Sequence, residues 1–142
     1  MEDLARYLDK IVEPTIRDFA ANPTSVRHAF IACVVTFHAV DYLAHPRKSR
    51  SLRQLFCEQS SDFETIDHVA HAFKHVMTGP REKPILVAAA VISRPPARAG
   101  ELVPGLSRVG DPDGGVTLAN NREADLLGAL RRAAAFLRSK VA

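Results

Sequence analysis

A chain of 142 residues with 46% hydrophobic and 25% charged side chains is long enough for one domain with a real core, and too apolar for a disordered chain. Its formal charge of +3 and pI near 9.1 permit contact with nucleic acid or an anionic surface without requiring it. Cys33 and Cys57 lack CxxC spacing, which argues against a disulfide framework and for two reduced thiols in a cytoplasmic protein.

Residues 3–21 carry an apolar helical face of Leu4, Tyr7, Leu8, Ile11, Val12, Ile16 and Phe19. Pro14 inside this pattern predicts a kink or break, or a separate short helix that begins at the proline. Asn22 and Pro23 then read as the cap and first-turn proline of a second helix that runs to Ala44 and is closed by His45 and Pro46. That helix is apolar nearly all round, with Val26, Phe30, Cys33, Phe37, Val40 and Ala44 on one face, which predicts a central place in a bundle. Its most apolar run, residues 29–44, is interrupted by His38 and Asp41 and falls short of the roughly 20 apolar residues of a membrane span. No signal peptide is visible, so the expectation is a cytoplasmic protein without a membrane segment.

A basic loop at residues 46–51 leads into a short helix with Leu52, Leu55 and Phe56. Ser61 and Glu64 form a capping box for the next helix, which Gly79 and Pro80 end. Its core stripe is expected to be Phe63, Ile66, Ala70, Phe73 and Met77, with Val69 and Val76 beside them. His68, His71 and His75 form a second stripe on the opposite side. Residues 85–92, bounded by prolines, suit a strand better than a helix. The turn at residues 111–115 predicts a hairpin of residues 106–109 with 116–118. Asn120 and Glu123 read as the cap of a last helix whose stripe is Leu126, Leu130, Ala133, Leu137 and Val141. The fold class is therefore mainly α: one helical domain over residues 1–142, a bundle of about four main helices with a small β-hairpin or sheet before the last.

Three constellations can carry chemistry. A divalent metal could be held by His38 and Asp41 on the second helix with His71 and His75 on the fourth, although the glutamate of an HExxH site is missing because Ala72 stands between the histidines. The same region can instead form a structural hydrogen-bond network of Arg27, His38, Asp41, Lys74 and His75, the reading the cost of unpaired polar groups favours. Arg47, Lys48, Arg50 and Arg53 form a basic corner that could take phosphate, strengthened if Arg131 or Arg132 comes near, although without interleaved aromatics it reads first as a solvated loop. Cys33 falls on the most apolar face and reads as core. Asp111, Asp113 and Gly114 open like a calcium loop but lack the later ligands, so they read as a plain turn.

At FHAVDYL (37–43) and AHAFKHV (70–76) the chain resembles a group of uncharacterised bacterial helical proteins that pair a His/Asp-bearing helix with one ending in Lys-His. The likeness covers about residues 22–79. It also loosely resembles the HEPN helical domains, many of which are RNases or nucleotide-associated proteins; none of the six histidines has the Arg upstream that their catalytic motif requires, so the resemblance implies architecture without that active site. The expected function is a binding or self-association module that forms a homo-oligomer. The alternative is a metal-dependent hydrolase or a nucleic-acid-processing enzyme.

Overall fold

The computed structural model describes residues 3–141, apart from the side chain of Glu123. The first helix, α1, is continuous: Leu4–Tyr7 and Glu13–Ala21 are α-helical and are joined by a π-helical segment, Leu8–Val12. Pro14 therefore neither breaks the helix nor starts a new one. The wider π turn immediately before it accommodates a residue that has no N–H and crowds the preceding turn. Asp3 caps the start by accepting from the Arg6 amide, and Leu4, Tyr7, Leu8, Val12, Ile16 and Phe19 are buried.

The second helix, α2 (Val26–Ala44), starts later than Asn22 and Pro23 suggest, because Ser25 is its cap and accepts from the His28 amide at 3.3 Å. It occupies the predicted central place, packed against α1 and the two helices that complete the core. By length and composition alone it would also suit a membrane span. Here Ala29, Phe30, Ala32, Cys33, Thr36, Ala39, Val40 and Ala44 are buried. The small residues among them let neighbouring helices approach closely.

Helix α3 (Arg50–Gln59) leads into α4 (Ser61–His75), whose cap is Ser60, one residue before the expected capping box. The Ser60 hydroxyl accepts from the Phe63 amide at 3.1 Å. This start places Phe63, Ile66, Asp67, Val69, Ala70 and Ala72 inside, and leaves Phe73 and Val76 largely exposed. The expected core stripe thus holds only for its first half. The helix stops at His75, because Val76 takes a left-handed conformation with φ 69° and Met77–Thr78 (β1) pairs with Leu86–Val87 (β2).

The apolar run at 85–92 is divided: β2, a turn of 3₁₀ helix at Ala88–Ala90, then β3 (Val91–Arg94) in a different sheet. That sheet has the antiparallel order β3-β4-β5, with β4 at Gly115–Leu118 and β5 at Asn121–Asp125. The expected hairpin fails on one side, since residues 106–109 form loop and turn and β4 pairs with β3 and β5 instead. Asn120 and Glu123 do not cap the last helix: Asn120 lies in the turn between β4 and β5, Glu123 is in β5, and its side chain lies outside the described part. Asp125 caps α5 (Leu126–Arg138) by accepting from the Gly128 amide at 2.9 Å. Leu126, Leu130, Ala133 and Leu137 are buried as expected, joined by Ala129. The chain is mainly α, and its described residues form five helices around one core with a small antiparallel element before the last helix.

Candidate functional site

On α2, Val34, Phe37, His38 and Asp41 recur at i, i+3, i+4 and i+7; on α4, Asp67, Ala70, His71 and Lys74 repeat the same spacing. Each set therefore shares one face of its helix, and together with Arg53 from α3 and Phe73, all of them except the buried Asp67 line a cleft of about 520 Å³.

Asp67 is the anchor of the arrangement. It is 6% exposed, and a carboxylate taken out of water needs a charged partner. Arg53 Nε provides it at 3.2 Å from Oδ1. The same guanidinium places Nη1 3.3 Å from His71 Nε2, while His71 Nδ1 lies 2.9 Å from the Asp67 carbonyl oxygen. These contacts define the ring's orientation: Nδ1–H donates to the carbonyl, and Nε2, facing a guanidinium that can only donate, accepts. Phe37 completes the cluster, edge-on to His71 at 5.0 Å between centroids and with the Arg53 guanidinium over its face at 5.8 Å.

His38 and Asp41 form a second pair at the mouth of the cleft, with Nδ1 to Oδ2 at 2.8 Å and both side chains about half exposed. Partial burial pulls the Asp41 carboxyl upward, but hydrogen bonds from His38 and Ser49 and the charges of His38 and Arg53 outweigh it, so its pKa lies below the ordinary value.

The sequence-derived groupings are redrawn accordingly. His38, Asp41, His71 and Lys74 do line one cleft. Arg27 is not part of it: the residue is exposed on the first turn of α2, its nearest polar contact is His28 at 3.5 Å, and it precedes His38 by three turns. His75 is exposed beyond the cleft, with its ring 6.2 Å from that of His71. The proposed metal set of His38, Asp41, His71 and His75 does not converge, and among the described residues no three His, Cys, Asp or Glu side chains are placed to hold an ion. His71 has both ring nitrogens engaged, and Asp41 turns to His38 instead.

The basic corner also divides. Arg53 faces inward to Asp67, while Arg47, Lys48 and Arg50 stay exposed on the loop and first turn of α3. Arg132 does not join them, being held bidentately by Asp62 at 2.9 Å through each nitrogen, and Arg131 lines other hollows. Asp67 was missed by pattern reading, although its position four residues before His71 on the face of Ala70 and Lys74 was a usable signal. Cys33 is fully buried with its thiol pKa pushed up by desolvation, and Cys57 is pushed up to about 11 by burial and the nearby Asp67 and Glu64. Neither is a nucleophile at neutral pH.

Comparison with protein-family models, with curated proteins and with solved structures gives no match for this chain.

Proposed function

We propose that the chain is a binding module whose site is the cleft between α2, α3 and α4, taking an organic anion with a planar apolar body. The observation that carries this reading is the balance of the cleft: Asp67 is spent on Arg53 and Asp41 on His38. Lys74 is left without an ion-pair partner among the described residues, beside the apolar walls Val34, Phe37, Ala70 and Phe73. A hollow of this size, apolar with a few oriented polar groups, suits a small ligand. Anilinonaphthalene sulfonate has the required chemistry and reports its own binding by fluorescence. Saturable binding, weakened about tenfold by Phe73→Ala and by Lys74→Ala, is expected. Affinity unchanged in both variants sinks the proposal, and because both side chains are exposed the fold tolerates their loss.

Self-association belongs to the same proposal, through the end of α4, where Phe73 and Val76 are exposed and Ile85 is exposed on the adjoining hairpin. The second reading, nucleic-acid processing, is favoured by one feature: Ser49, beside the exposed Arg47, Lys48 and Arg50, lies close enough to the His38–Asp41 pair to help lower the Asp41 pKa. An aspartate-oriented imidazole beside a cationic loop suits proton transfer near a phosphodiester. Salt-dependent RNA binding abolished by joint replacement of Arg47, Lys48 and Arg50 supports it, and RNA binding that survives the replacement removes it.

A further inference from the structure

We infer that a second ligand site, for a small oxyanion, lies between Arg94 at the end of β3 and Arg131 on α5. The two residues line a hollow of about 600 Å³ that shares no residue with the α2–α3–α4 cleft. Arg94 is only 5% exposed. Its Nη2 donates to Asp111, but Nε and Nη1, both shielded from solvent, have no hydrogen-bond partner among the described residues. A guanidinium carries five donors in a fixed fork and stays charged, so leaving two nitrogens unpaired inside a protein is costly unless something else accepts from them.

The acidic residues of the hollow do not meet that demand. Asp111 is engaged with Arg94 Nη2, Asp113 pairs with Arg98 at 3.1 Å, and Asp125 accepts from the Gly128 amide as the cap of α5. Arg131, exposed on the same wall, has no ion-pair partner among the described residues. The donors of the hollow left without an acceptor among the described residues are Nε and Nη1 of Arg94, and the chemistry that satisfies a guanidinium fork is a carboxylate or a phosphate, both of which accept it bidentately.

The backbone is shaped for this arginine. A Cβ on Gly115 would stand 2.8 Å from Arg94 Nη2, and one on Gly114, at φ +69°, would stand 2.5 Å from the Arg94 carbonyl oxygen. Gly115 lets the chain close over the arginine side chain and Gly114 lets the turn press against the backbone of residues 94–96, with Asp111 holding one edge of the fork. An incoming oxyanion takes an edge of the fork that joins Nη2 to one of the unpaired nitrogens, in competition with Asp111, and turns its other oxygens towards Arg131.

The test uses the whole chain, with inorganic phosphate and succinate as probes at constant ionic strength, followed by the NMR signal of the Arg94 Nε–H. A saturable shift with either anion is expected, and the one that saturates names the source, phosphoester or carboxylate. Arg131→Ala, at an exposed position that leaves the core intact, should weaken binding about tenfold, and Asp111→Asn, which removes the competing charge, should strengthen it. No saturation with either anion overturns the inference, and so does an affinity that Arg131→Ala leaves unchanged. Because the two sites share no residue, neither result bears on the cleft.

Discussion

Tyr7 shows how one buried polar atom links α1 to the central helix. Its hydroxyl donates to the Val35 carbonyl at 2.9 Å, and its ring stacks on Tyr42 at 4.1 Å. Desolvation, with smaller contributions from Tyr42 and Asp41, raises its pKa from 10.0 to about 12. A folded pKa above the unfolded one means that the stabilisation is fully present below pH 10 and is lost as pH rises towards 12. Tyr7→Phe should therefore cost about 1 kcal/mol at neutral pH, by urea unfolding, and flatten the alkaline loss of stability. Arg53 is a harder test of the cleft. Arg53→Ala leaves the Asp67 carboxylate buried without its partner and should cost about 3 kcal/mol, whereas Arg53→Met combined with Asp67→Leu should recover most of that loss. Equal destabilisation by the single and double changes would show that packing, not charge, holds this corner.

At the scale of elements, helix starts are decided by which hydroxyl meets an amide. Ser60 and Ser61 are adjacent and look alike in the sequence, yet only the Ser60 hydroxyl accepts from the Phe63 amide. Ser60→Ala should lower stability by about 1 kcal/mol and Ser61→Ala should change it little, as read from thermal unfolding. The other end of α4 tells a similar story. Gly79 and Pro80 are strong stop signals, but Val76 halts the helix earlier by adopting a left-handed conformation unusual for a β-branched residue. Pairing of β1 with β2, together with the bond from the Ala88 amide to the Val76 carbonyl, holds it there. Val76 is largely exposed, so Val76→Gly should relieve the backbone and raise stability by about 1 kcal/mol despite the greater freedom of the unfolded chain.

For the whole molecule, α2 and α4 form the most extensive helix pairing, and α5 packs against both. Phe19, Phe63, Ile66, Leu126, Leu130 and Leu137 are the large side chains that meet out of water, drawn from helices distant in the sequence. Ion pairs add direction at the surface: Arg138 reaches Asp9 and Glu13, tying the last helix to the first. Pairs this exposed contribute little to stability. Self-association is tested at this scale. Light scattering should report a dimer or larger at pH 8 that Phe73→Ala together with Val76→Gly converts to monomer, and a monomeric native chain would end that part of the proposal.

Periodicity alone determined that the chain is mainly α, which residues of α1 and α5 face inward, part of the inward face of α2, where Phe30, Cys33, Val40 and Ala44 are buried but Val26 and Phe37 are not, that a small β element precedes the last helix, and that His38, Asp41, His71 and Lys74 are worth watching. Those features depend on side chains a few residues apart, which a single helix turn brings together. Only the tertiary structure decided that Arg27 and His75 stand outside the cleft, that Arg53 turns inward, and that Asp67 is the carboxylate it meets. It also decided that β4 pairs with β3 rather than with residues 106–109, and that Arg94 is enclosed by the turn at 111–115. Each of these depends on a partner from another element, and hydrophobic spacing within one segment carries no information about which charge a distant segment will bring.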